Sequence, residues 1–369
     1  MNTIIIAAIS SRCYVQAAVD AGFEVIAIDA FADMDTQNLA KEVIQIEVND
    51  GQFDPQQLLH ALNQIDLKED IESKFIGFAY GAGFEAQPDL LTQIASIMPI
   101  IGNSAKVIEQ CKKPRDFFAL CDALSMPHPE TAFEKPINTL GWLQKKIGAS
   151  GGEHIQSLLP LNLVLDSQAT TQIYYQKKQS GIPISCLFIA DGKNALLLGF
   201  NEQWCSPTAL SPYRFGGAVS HTDLNENTQN ILAVFIQSAT QKLGLKGLNS
   251  CDCLVQDNEV FVLEINPRLS ASLGLYQAKR GNLFAVHVAA CLGQLKERPV
   301  VDKTSRAMQI VYAKQISKVP AEMDWPEWVC DIPQPDSVIP AGAPICSVIA
   351  EARTPKLAKQ KVLERAASL

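Results

Sequence analysis

Residues 3–9 and 23–28 form two β-branched apolar runs separated by one helical stretch that begins at Ser10-Ser11-Arg12 and ends at Ala21-Gly22. A helix joining two strands makes them parallel neighbours in a sheet, and that single constraint selects an α/β fold for the opening of the chain. The pattern continues with an apolar stretch at 41–48, a helical region from Pro55, and a strand at 75–79. That strand enters the loop Tyr80-Gly81-Ala82-Gly83-Phe84-Glu85, before a helix at 88–96 and a short strand at 98–101. A doubly wound unit of this kind presents ligand groups at the carboxyl ends of its strands. Ser10, Ser11 and Arg12, and later Gly81, Gly83 and Glu85, fall there, with a turn or a helix cap as the alternative reading of each.

The chain has 369 residues, 47% of them hydrophobic. At roughly 100–200 residues per domain this predicts two or three domains. Lys and Arg number 31 against 39 Asp and Glu, a net charge of -8, which disfavours nucleic acid as a partner while leaving room for a local basic pocket. The apolar runs are far shorter than the roughly 20 residues that span a bilayer, and no basic stretch precedes an apolar block at the start. A cytoplasmic chain with no membrane partner is expected. Ten cysteines with no C-x-x-C pair read as reduced, mostly buried thiols rather than a zinc site.

The middle of the chain changes character. A helical pattern at 106–124 closes on Pro127-His128-Pro129, and residues 140–146 lead into Gly148-Ala149-Ser150-Gly151-Gly152. Strands then alternate with turns at 172–179, 184–190 and 195–200. A helix at 229–243 precedes a hairpin of 248–256 and 259–265 across Asp257-Asn258. An antiparallel sheet with flanking helices fits. Beyond about residue 300 the chain is proline-rich, with strands at 309–313 and 345–350 and a helix from Pro355, which predicts a small closing lobe.

The strongest chemical signal is Glu264-Ile265-Asn266-Pro267-Arg268 at the end of the hairpin. Glu264 and Asn266 are two apart on a strand and leave the same face, and Asp252 on the partner strand falls roughly opposite. Three oxygen donors on one patch suit Mg2+. Arg268, beyond a proline that fixes the chain direction, can reach past the metal toward a transferring group. Solvated faces of an ordinary hairpin are the alternative. Lys145 at a strand end feeding Gly148, Gly151 and Gly152 supplies an ammonium and free backbone N–H groups for a polyphosphate, although the string is not a Walker loop and a flexible hairpin loop is an equal reading.

Together these strings resemble the ATP-grasp superfamily of ATP-dependent carboxylate ligases across nearly the whole chain. The resemblance implies a Rossmann-like domain at 1–104, an ATP-grasp domain at 105–300 whose two α+β subdomains (105–170 and 171–300) clamp ATP, and a C-terminal lobe at 301–369. Lys145, Gly148, Gly151 and Gly152 then resemble the phosphate-covering loop, and Asp252, Glu264 and Asn266 the metal set. Gln176, Lys177, Lys178 and Gln179 resemble the adenine linker, with Lys177 standing where a glutamate is usual. Pro114 replaces an earlier ATP lysine, and Lys113 is the adjacent substitute. Arg268 and Arg214 are the implied catalytic arginines; a surface loop is the other reading of Arg214.

The implied chemistry is activation of a carboxylate as an acyl phosphate and its capture by an amine, with ATP and Mg2+. Small-molecule carboxylate and amine partners follow, and a homodimer is an open possibility. Finer likeness points to ATP-grasp proteins of methanofuran- and tetrahydromethanopterin-linked one-carbon metabolism, of the tyramine–glutamate ligase type. A catalytically silent nucleotide-binding protein is the second reading, supported by Lys177 and Pro114. A nicotinamide oxidoreductase is weaker, because residues 8–12 lack G-x-G-x-x-G. His287, in an apolar helix, reads as a packed histidine.

Overall fold

A computed structural model describes residues 2–65, 74–158, 172–276, 278–280, 282–295 and 299–369. The opening unit is a four-stranded parallel sheet in the order Glu42–Gln45, Phe23–Asp29, Asn2–Ala8, Phe75–Tyr80. Alternation divides its side chains between two cores. Ile5, Ala7, Ile26, Ile28 and Phe78 face Leu58, Leu62, Leu91 and Ile94 of the helices Pro55–Gln64 and Pro88–Ile97. Ile4, Ile6 and Ala8 share the opposite core with Tyr14, Val15 and Ala18 of the helix Arg12–Asp20. Residues 98–101 make only a parallel bridge, Phe78 to Ile100, instead of the expected strand.

An eight-stranded antiparallel sheet forms the body of the molecule. Its order is Glu259–Asn266, Lys246–Gln256, Ile182–Asp191, Ala195–Cys205, Phe215–Val219, Ser305–Tyr312, Pro344–Ala352, Val329–Cys330. Along the strand Ile182–Asp191, Ile184, Cys186, Phe188 and Ala190 pack with Leu232, Phe235, Ile236 and Ala239 of the helix Glu226–Leu243. Leu187 and Ile189 point the other way, to Leu283, Phe284 and Val288 and the core of the opening unit. Period-two patterning therefore joins the two sheets through one shared apolar layer.

A smaller antiparallel sheet, ordered Thr131–Ala132, Ile173–Lys177, Trp142–Lys146, Gln156–Ser157, carries the flap. One expectation changes here. The single helical pattern at 106–124 is two helices, Ala105–Lys112 and Pro114–Ala123, because a proline has no N–H to continue the first and starts the second well. The strand Ile173–Lys177 pairs with Trp142–Lys146 in this small sheet. Towards the end of the chain, Ser305–Tyr312 and Pro344–Ala352 pair with each other and continue the large sheet. Their alternating apolar residues Ala307, Val348 and Ala350 share a core with Ala358 and Val362 of the helix Pro355–Ala367.

All ten cysteines are free thiols, seven of them buried, with Cys205 exposed. No helix among the described residues is long and apolar enough to cross a membrane.

Candidate active site

The hairpin closes through Asp257 and Asn258, both left-handed at φ 49° and 71°, the geometry a tight two-residue turn demands. Carried on from that turn, the register would face Asp252 with Leu263; a bulge between Asp252 and Cys253 shifts it by one residue and sets Asp252 opposite Glu264, and Ser250 opposite Asn266. Asn266 Nδ2 donates to Asp252 Oδ2 at 2.9 Å, so the three oxygen-bearing side chains form one patch. Asp252 Oδ1 is buried and has no hydrogen-bond partner among the described residues. Such an atom is costly to leave bare, and a hard cation is the partner its chemistry suits.

Lys112 meets this patch from the last turn of the helix Ala105–Lys112. Its Nζ donates to Glu264 Oε2 at 2.6 Å and to Asn266 Oδ1 at 2.7 Å. A positive charge thus already rests on two of the three oxygens. Burial works against the Glu264 carboxylate, but the charges of Lys112, Lys145 and Arg268 hold it well below its ordinary range. Burial and the nearby Glu264 charge push Asp252 the other way, upward. Among the described residues no three His, Cys, Asp or Glu side chains gather as a metal site. The donor set is two carboxylates and one amide oxygen, which fits Mg2+ completed by phosphate oxygens.

Arg268 is anchored at 2.8 Å by its Nε to Glu85 Oε1, with Nη1 on the Leu269 carbonyl at 3.1 Å and Nη2 on Asn266 Oδ1 at 3.4 Å. Lys145 comes from the small sheet. It is buried, its Nζ donates to Gln176 Oε1 at 2.6 Å, and burial lowers its pKa to about 8. Gln176 in turn donates to Thr131 Oγ1 at 3.2 Å.

The glycine loop folds over the cleft. Gly148 has φ +73°, and a Cβ there would lie 2.6 Å from Ala86 Cα; the Gly151 carbonyl accepts the Phe215 N–H at 2.9 Å. A Cβ at Gly152, φ +78°, would run into the Tyr213 carbonyl oxygen. The cleft, open to solvent on one side, is lined by Lys112, Phe118, Gly148, His154, Tyr174 and Glu264 among others. His154 hangs from the same loop; burial lowers its pKa to about 4, and its Nδ1 is buried without a partner among the described residues.

The other sequence-predicted residues lie elsewhere. Lys113 points away and pairs with Glu109 one turn earlier, so Lys112, not Lys113, reaches the cleft. Lys177 faces opposite to Gln176 and pairs with Glu130 at 3.2 Å on the surface. The Lys178 N–H is committed to the Gly141 carbonyl at 2.7 Å, and Gln179 Nε2 donates to Gln256 Oε1 at 3.2 Å. Of the expected adenine linker only Gln176 touches a cleft residue. Arg214 is a buried clamp: its Nε donates to the Ser206 carbonyl, its Nη1 to the Gly342 carbonyl, and its guanidinium stacks 3.6 Å over the Tyr312 ring. Its planar fork is used on main-chain oxygens beneath the flap, outside the Asp252 patch. His287 is packed as expected, with Nδ1 accepting the Leu248 N–H at 2.9 Å.

Lys112 is the residue that reading the sequence missed, and a signal for it exists. Ile108 and Lys112 are four apart and both buried, whereas Glu109 and Lys113 share the outer face of the same helix.

Residues 113–272 match the family model of the ATP-grasp domain. An uncharacterized protein of Methanocaldococcus jannaschii is 25% identical over 268 residues, 68% of this chain; the match spans 64% of that relative's length. Among solved structures, the biotin carboxylase of Campylobacter jejuni in complex with β,γ-ATP superposes with a TM-score of 0.70 at 15% identity, over 98% of this chain and 90% of that one. The L-amino acid ligase of Bacillus licheniformis gives 0.69 at 12% identity, over 99% and 96%. The N5-carboxyaminoimidazole ribonucleotide synthetase of Thermotoga maritima gives 0.65 at 14% identity, over 100% and 98%. With a family match across the flap and hairpin and whole-length superposition on these enzymes, the chain has an ATP-grasp fold.

Proposed function

We propose that this protein is an ATP- and Mg2+-dependent ligase that activates a carboxylate as an acyl phosphate and transfers the acyl group to an amine. The observation that carries the reading is the convergence of Lys112, Lys145 and Arg268, from three separate segments, on the field of Glu264 beside a bare Asp252 oxygen. Such an arrangement holds a polyphosphate and a divalent cation together, and phosphoryl transfer asks mainly for alignment and charge stabilisation. Structural relatives named as carboxylase, synthetase and amino acid ligase support the same class.

In the reaction, a carboxylate oxygen bonds to the γ-phosphorus of ATP as the bond to ADP breaks. The amine nitrogen then bonds to the acyl carbon, and phosphate and a proton leave. Lys112 and Lys145 neutralise phosphate oxygens, and the glycine loop excludes water from the reactive acyl phosphate. Arg268 directs its free N–H groups at the transferring group. Asp252, Glu264 and Asn266 would hold Mg2+, which when bound supplies charge neutralisation at the phosphates.

The silent reading loses one of its two supports, because Lys112 supplies the cation that Pro114 lacks. A methanofuran-type carboxylate and amine, suggested by sequence likeness, are the first pair to test. Incubation with ATP, Mg2+ and a pool of amino acids and amines should release ADP and phosphate only when carboxylate and nucleophile are both present. Binding of ATP without turnover across the pool would favour the silent protein, and AMP formation would exclude the acyl-phosphate route.

A further inference from the structure

We infer that Glu85 is a positioning residue for Arg268, fixing the direction in which its guanidinium meets the reacting group; the role of Arg268 itself rests on the ligase reading above. The geometry is specific. Glu85 is 4% exposed and uses both carboxylate oxygens: Oε1 accepts Arg268 Nε at 2.8 Å, while Oε2 accepts the N–H groups of Gly83 at 2.8 Å and Phe84 at 3.1 Å. The two backbone donors stop the carboxylate from turning. It therefore defines a fixed plane for the arginine.

The loop that carries Glu85 is itself immobilised. Gly83 sits at φ +120°, a conformation closed to residues with a Cβ, and a side chain there would strike the Phe53 ring. Burial opposes the charge on Glu85, but Arg268 and Lys112 keep its carboxyl below the usual range. A guanidinium has five N–H donors. Nε goes to Glu85, one Nη1 hydrogen to Leu269 and one Nη2 hydrogen to Asn266, which leaves two N–H groups aimed by those three anchors.

The same segment also touches the glycine loop. Ala86, the next residue, is the backbone against which Gly148 of the flap rests without room for a Cβ. One short segment of the first unit therefore braces Arg268 on one side and the flap on the other. A group held by such support loses catalysis when it shifts by a fraction of a bond length, even though nothing that contacts the nucleotide has changed.

The test compares the full-length protein with Glu85→Gln, which keeps an oxygen acceptor but not the charge, and Glu85→Ala. The 1H–15N resonance of Arg268 Nε, assigned by its loss in Arg268→Lys, should move in Glu85→Gln and collapse to the solvent-exchanging position in Glu85→Ala. In the ADP-release assay kcat should fall about tenfold and about a hundredfold respectively, while the calorimetric Kd for MgADP stays within about twofold of the parent. An unmoved Arg268 resonance overturns the inference, as does a parent-like kcat in a variant whose resonance has moved. Equal losses in kcat and MgADP affinity also overturn it, since they indicate general collapse of the cleft. Were the parent to show no turnover with any pair, the ligase reading would fail while the resonance still decided whether Glu85 orients Arg268.

Discussion

Lys112 Nζ lies 2.6 Å from Glu264 Oε2 and 2.7 Å from Asn266 Oδ1, bridging two of the three oxygens on the hairpin. It arrives on the buried face of a helix that stops at Lys112, two residues before Pro114 starts the next. Its neighbour Lys113 is turned about 100° away by the helical repeat and pairs with Glu109. Lys112→Ala should therefore lower MgATP affinity by about tenfold or more, the scale of one charge-assisted contact, with Lys113→Ala close to the parent. Isothermal calorimetry on the two variants checks this, and equal effects would remove the assignment.

Glu264→Gln keeps the shape of the patch and removes the charge around which three cations gather. Turnover should be abolished with the thermal unfolding transition still cooperative. Unchanged ADP release in this variant would end the metal assignment.

Burial sets the Lys145 pKa at about 8, down from 10.5. The protonated form is thus disfavoured in the folded chain: its cost to stability is present below about pH 8 and fades as pH rises toward 10.5. A bound triphosphate favours the ammonium. Nucleotide binding between pH 8 and 9 should take up a proton, seen as a dependence of calorimetric heat on buffer ionisation enthalpy, and affinity should weaken as pH climbs through that window. Lys145→Met should bind weakly and show no such dependence.

Two neighbouring glycines separate backbone strain from docking. Gly151 is at φ +74° with open space where a Cβ would be, so Gly151→Ala carries only the left-handed penalty of roughly 1–2 kcal/mol. Gly152→Ala carries the same penalty and also collides with the Tyr213 carbonyl, so the flap cannot seat. We expect a large rise in KM for ATP in Gly152→Ala and a small one in Gly151→Ala. Steady-state kinetics at varied ATP distinguishes them.

His287 is 1% exposed, and burial lowers its pKa to about 4 from 6.5. The unfolded chain binds this proton first, so stability is full above about pH 6.5 and falls as pH drops toward 4, by roughly 3 kcal/mol across the window. His287→Leu should flatten that slope in urea titrations. It should also cost about 1–3 kcal/mol at pH 7, because the buried Leu248 N–H loses its acceptor.

Local rules in the sequence were enough for the elements and for part of the site. Consecutive β-branched runs around one helix gave the parallel sheet, and the Asp257-Asn258 turn brought Asp252 and Glu264 within one residue of register, while their direct pairing came from a bulge between Asp252 and Cys253 that no local rule announced. Lys145 and the glycine loop were legible for a similar reason, since strand alternation and left-handed backbone are written residue by residue.

What folding in three dimensions decided is which distant groups meet. Glu85 and Arg268 are 183 residues apart, and nothing local in Tyr80-Gly81-Ala82-Gly83-Phe84-Glu85 distinguishes a carboxylate that holds an arginine from one that caps a turn. Arg214 and Lys177 carry the charge a phosphate site needs, yet packing turns one onto Ser206, Gly342 and Tyr312 and the other onto Glu130. Side-chain type and spacing set what a residue can do. Its partner is chosen by the burial of apolar faces, here the layer in which Ile4 and Leu187 share one core and bring the first unit's loops over the hairpin.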